Sequence, residues 1–219
     1  MSFSLILKDE FKGFYKSKVM IFLWTGLPLL AVILHLFITD DSIPMSTITA
    51  IVVSNIGGLL AAVMITVNII NEKDTRVFDL FLIRPLKRWH LLLSKFLAVF
   101  ICVSIAGLLA VSVGIGVDFF QSALPFEQIL RNVIDPFIMT LSIIAISSAT
   151  GILFGVIAPS ILVGVILVIF IGNYISSIPS IIPLVLEINN PVNYVLAVGL
   201  LCTIVLLGLG VYLFNKKEF

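Results

Sequence analysis

Six runs of mostly apolar residues follow one another along this chain, at 19–38, 47–70, 95–117, 134–157, 161–177 and 194–214. Each is close to the length, about 20 residues, that a helix needs to cross a hydrocarbon layer about 30 Å thick. In lipid a backbone has no water to bond to and must satisfy its N–H and C=O groups internally, so a run of this kind has helix as its outcome. Of the 219 residues, 60% are hydrophobic and 11% charged, against roughly 45–50% and 25% in soluble domains. The expectation is all-α: one polytopic membrane domain over 1–219 with six transmembrane helices and no space for a soluble domain. A net charge of +1 gives no reason to expect a nucleic-acid partner; the lipid bilayer is the expected surrounding.

The run at 19–38 is too long for a signal-peptide core and is followed by FITDDS rather than a small-x-small cleavage site, so it reads as an uncleaved first span. Pro28 predicts a kink in it. Before it, residues 1–18 place Phe3, Leu7, Phe11 and Phe14 at three- and four-residue spacing, with Lys8, Lys12 and Lys16 elsewhere. That is the pattern of a helix lying in the membrane interface. With the N-terminus inside, twelve of the thirteen Lys and Arg residues face the cytoplasm and only Arg131 lies outside. Positive charge concentrates on the cytoplasmic side, so the reading is N-in and C-in, in the plasma membrane. The stretch IPSIIPLVLEINNPVN, with three prolines, breaks the fifth helical pattern. It is too apolar for a free loop and is compatible with a re-entrant segment.

Small residues recur every four positions in two of the spans: Ala50, Ser54, Gly58, Ala62 and Thr66 in the second, Ser94, Ala98, Cys102, Ala106, Ala110 and Gly114 in the third. Small side chains let helix backbones approach closely in lipid, so both spans are expected to be tightly packed.

Enzyme signatures are missing. There is no H-E-x-x-H or G-x-S-x-G, and no P-loop to hold ATP phosphates. Cys102 and Cys202 lie inside apolar runs and read as packing residues, and His35 and His90 lie near membrane interfaces. Asp135, before Pro136, reads as a helix cap. No acid sits at mid-membrane, where an ion-coupled carrier keeps one. The chain is expected to be no enzyme, with no cofactor or metal of its own; uphill work would draw its energy from a partner.

Charge gathers instead between the second and third spans. Residues 71–95 hold six basic residues, Lys73, Arg76, Arg84, Lys87, Arg88 and Lys95, and three acids, Glu72, Asp74 and Asp79. Glu72 to Ile83 is helix-compatible, Pro85 stops it, and a new helix is expected from near Lys87. Val77, Phe78, Phe81 and Leu82 form one apolar face. A loop that only sets topology needs the basic residues but not this amphipathic pattern.

In the order Glu72, Thr75, Leu80, Leu82, Pro85, Arg88 and Lys95, this segment resembles the permeases of type-2 ATP-binding-cassette exporters. The ending NPVNYVLAVGLL…VYLFNKKEF and the amphipathic start are similar too. The chain departs from the family at Asp74, where glycine is common. The resemblance implies a cytoplasmic coupling helix within residues 71–90, with Glu72, Thr75, Arg76, Phe78, Leu82, Pro85, Arg88 and Lys95 as its coupling residues. It implies charge pairs among Glu72, Arg76 and Arg88, two ATPase subunits holding ATP and Mg, and a second permease chain, identical or related. It also implies a path lined by the second and fifth spans, for which Asn55, Asn68 and Asn173 are candidates. Such polar groups equally serve to bond helix to helix. A mostly apolar lining suits an amphipathic or hydrophobic cargo: a peptide, a drug or a lipid-like molecule. An ATP-independent carrier and a non-transporting scaffold or immunity protein stay open as alternatives.

Overall fold

The structure, a computed structural model, describes residues 3–37, 45–75, 88–121, 126–185 and 191–216. Helix accounts for nearly all of these residues, and no strand occurs among them. In chain order the helices are α1 (Phe3–Tyr15), α2 (Lys18–Phe37), α3 (Met45–Asp74), α4 (Arg88–Gln121), α5 (Phe126–Ile157) and α6 (Ile161–Leu167). A π-helical segment (Val168–Gly172), α7 (Asn173–Val185) and α8 (Pro191–Lys216) complete them. Six stretches are long and apolar enough to cross a membrane: Lys18–Phe37, Ile48–Asp74, Trp89–Val117, Phe137–Ile157, Ile161–Pro179 and Asn193–Lys216. This is the expected all-α architecture of a multi-pass membrane protein, one span to each apolar run.

The radial distribution of side chains supports the same conclusion. Phe22, Leu36, Phe37, Leu162, Phe170, Ile204 and other large apolar groups point outward, while Thr49, Thr66, Ser94, Ser148 and Thr150 are buried. A soluble protein with such a surface would associate through it; in lipid it is the matching surface. Several of these buried hydroxyls are satisfied within their own helix. Ser94 donates to the carbonyl of Leu91, Ser148 to that of Ile144 and Thr150 to that of Ser147, the local back-bonding open to Ser and Thr inside a helix.

Three spans form the centre. In the membrane-crossing windows of α3, α4 and α5, 50%, 56% and 61% of residues are buried, against 22% in each of the other three. Both four-residue stripes of small side chains lie in this centre, buried along their whole length. The α3 stripe meets α5. Thr66 Oγ1 donates to the carbonyl of Gly151 at 2.8 Å, and a Cβ on Gly58 would sit 2.7 Å from Ser147 Oγ. The α4 stripe faces both α2 and α3: Trp24 Nε1 donates to the carbonyl of Cys102 at 3.1 Å, and Gly114 fits beside Thr49 and Ser46. Helix α8 closes on α5, with Gly199 against Ser142 and Gly210 against Ile152.

The fifth span is a composite. Ser160 caps α6 by accepting from the N–H of Val163 at 3.5 Å, and Gly164 fits against Ile70 and Thr66 of α3. The π-helical turn then widens the helix, and beyond it Ser147 Oγ donates to Ser176 Oγ, which donates to the carbonyl of Gly172, each at 2.8 Å. The helix does not stop at the proline-rich stretch: it runs through Pro179 and Pro183 to Val185. Proline interrupts a membrane helix less than a soluble one because neighbouring helices and hydroxyls take up the freed carbonyls.

Helix α1 is separate and too charged to span. Its buried side chains are Ile6 and Phe14, with Phe11 packed against the same core as Leu91 and Leu92 of α4. Ser17 turns the chain into α2 by accepting from the N–H of Met20 at 3.1 Å, as an N-cap serine does.

Candidate functional site

The charged end of the bundle is organised by one lysine. Lys95, in the second turn of α4, is 1% exposed. Its ammonium donates to Glu10 Oε1 of α1 at 2.7 Å and to Asn68 Oδ1 and Glu72 Oε1 of α3 at 2.8 and 2.5 Å. A lysine ammonium has three hydrogens and no acceptor capacity, so these three bonds use it fully. Asn68 and Glu72 are four residues apart, one turn of one helix face, which is why both reach the same ammonium. Glu10 arrives from the opposite side because α1 lies against the start of α4, fixed there by Ile6, Phe14 and the contact of Phe3 with His90, whose rings are 5.5 Å apart.

Burying an ion costs several kcal/mol unless partners compensate. Here two carboxylates and an amide oxygen do so, and the carboxylates keep some solvent, at 19% and 23% side-chain exposure. One positive charge against two negative ones leaves the cluster net acidic.

The end of α3 is held on a second side. Lys73 Nζ lies 3.4 Å from the carbonyl of Ala158, just past α5. Thr75 closes the helix, its N–H and Oγ1 both donating to the carbonyl of Asn71, at 3.0 and 2.7 Å. At this end of the bundle α3 is therefore tied to α1 and α4 through Lys95 and, by Lys73, to the residue that follows α5. Residues 76–87 leave from it and return to it.

Of the predicted coupling residues, Glu72, Thr75 and Lys95 belong to this end, and Arg88 is the first residue of α4. Arg76, Phe78, Leu82 and Pro85 lie outside the described residues. Among the described residues, the partner of Glu72 is Lys95. Of the candidate path residues, Asn68 is engaged by Lys95. Asn55 is exposed on α3 and donates to the carbonyl of Ile51 of its own helix at 2.8 Å. Asn173, exposed at the start of α7, accepts through its carbonyl from Ser177 Oγ at 2.7 Å. Glu10 was not legible as a site residue, because in sequence it reads as part of the polar face of an amphipathic helix. The signal that leads to it is Lys95 itself: a cation opening an apolar run needs acceptors.

Beside the cluster, α1 and α3 leave an open cleft of about 790 Å³, with Asp9, Glu10, Asn68 and Asn71 at the charged end and Leu60, Val63 and Met64 along its apolar wall. Among the described residues no group of His, Cys, Asp and Glu has the make-up of a metal site. The chain matches no protein-family model and no curated protein.

Proposed function

We propose that this chain is the membrane-spanning permease subunit of an ATP-driven exporter of the type-2 ATP-binding-cassette kind. The observation that carries the reading is the Lys95 cluster. It ties α1, the end of α3 and the start of α4 into one unit at the two points where residues 76–87 are attached. A partner pressing on that segment would move three helices together, as the transmission of a stroke requires. The amphipathic order from Glu72 to Lys95 supplies the docking surface in this reading, and α1 lies in the inner membrane interface. Both termini are cytoplasmic, and the membrane is the plasma membrane.

The mechanism is alternating access. Two ATPase subunits hold ATP and Mg and close on each other; their movement tilts residues 71–90 and, through the Lys95 cluster, α3 and α4. The path lies between two copies of the chain or between this chain and a related one. Asn55 and Asn173 suit it as polar groups that the single chain leaves exposed. The cargo is amphipathic or hydrophobic.

The test is a tagged pull-down in mild detergent, with ATP hydrolysis measured in the eluate, comparing wild type with Phe78→Ala plus Leu82→Asp. An ATPase that accompanies the wild type and is lost from the variant supports the reading. A wild-type preparation with no nucleotide-hydrolysing partner removes it.

A further inference from the structure

We infer that the cleft between α1 and α3 is a binding site for a cationic amphiphile, its ammonium head at Asp9 and Glu10 and its hydrocarbon tail along Leu60, Val63 and Met64. The inference concerns binding and does not depend on whether an ATPase docks. At about 790 Å³ the cleft is in the range of small-molecule sites, which pair apolar walls with a few placed polar groups. From Asn71 to Leu60 the α3 wall runs eleven residues, about 16 Å at the helical rise of ~1.5 Å per residue, so a single hydrocarbon chain of medium length can lie along it.

Charge decides the class of head group. Lys95 offsets only one of the two carboxylates it binds. Asp9 forms no ion pair among the described residues and adds a further negative charge at the same end. None of the residues lining the cleft is basic. Lys8 and Lys12 of α1 lie about 100° and 60° round the helix from Asp9, and neither they nor Lys16, just past α1, line the cleft. A phospholipid would bring a phosphate that meets no cation on the cleft wall, whereas an organic ammonium meets the carboxylates of Asp9 and Glu10 there.

The experiment uses the full chain in nanodiscs of zwitterionic lipid and a dodecylammonium probe with a photoactivatable group in mid-chain. The same chain carrying a hydroxyl or a phosphocholine head serves for comparison. The ammonium probe is expected to label peptides of α1 and α3 saturably, with an apparent affinity about tenfold above that of the other two heads. Asp9→Lys, at an exposed position, weakens it about tenfold. Met64→Trp, which fills the cleft, removes the label from the Leu60–Asn71 peptide. Equal labelling by the three heads, labelling that never saturates, or full labelling of Asp9→Lys would each overturn the inference. The Asp9 variant leaves the packing untouched, so the test stands even where Met64→Trp does not fold.

Discussion

Gly151 of α5 rests on the backbone of Ala62 of α3: a Cβ at Gly151 would lie 2.6 Å from the Ala62 carbonyl oxygen and 2.8 Å from its Cα. The obstacle is backbone, which cannot rotate away. Gly151→Ala is therefore expected to cost about 1–3 kcal/mol, the range for overpacking a close-packed site. Gly208→Ala on α8, with nothing within 4 Å of its Cβ, is the control and leaves stability unchanged or slightly raised. Thermal unfolding followed by gel filtration in detergent measures both. Equal midpoints for the two variants would refute the close contact.

Thr66 reaches across the same contact to the Gly151 carbonyl. Thr66→Val keeps the shape and removes the donor. Hydrogen bonds between membrane helices average about 0.6 kcal/mol, so the expected loss is of that size, well below that of Gly151→Ala. A larger loss for Thr66→Val would mean that the hydroxyl, not the small side chains, carries the α3–α5 contact.

Lys95→Met leaves Glu10 and Glu72 facing each other without their cation. Removing one partner of a buried ion pair costs about 3–5 kcal/mol, and that is the expected destabilisation. Adding Glu10→Gln and Glu72→Gln to the same chain removes the stranded charges and recovers most of the loss. A triple variant no more stable than the single one would show that the lysine acts through packing alone.

Glu10→Gln separates linkage from docking, since it loosens α1 and leaves the sequence of residues 76–87 unchanged. In the proposed exporter an ATPase still co-purifies with this variant, while cargo-stimulated phosphate release falls about fivefold, equivalent to about 1 kcal/mol. If the variant loses the ATPase as fully as Phe78→Ala plus Leu82→Asp, the cluster belongs to the docking surface.

The spans and their packing stripes are legible in the sequence because length and four-residue spacing are local properties. Ala62 and Thr66 declare a close helix contact, yet nothing local says that Gly151 receives it, since α5 carries small residues on several faces. Glu72 and Lys95 stand out as charges beside apolar runs, but Glu10 is 85 residues from its partner and looks like surface. Pro179 and Pro183 read as helix breakers by the rule for soluble chains, and the helix carries on through both. The π-helical turn at Val168–Gly172 leaves no trace in an apolar stretch, and the closeness of its Gly172 to Thr150 and Phe154 of α5 is likewise not a local property of the sequence.

The order of the Lys95 partners along the chain bears on how the protein is made. Glu10, Asn68 and Glu72 precede the lysine by 85, 27 and 23 residues. At ~5–20 residues per second of synthesis, all three acceptors leave the ribosome at least about one second before the cation does. The lysine is thus handed to the membrane with its acceptors already made, and the growing chain need not hold a solitary ammonium in lipid while awaiting later sequence.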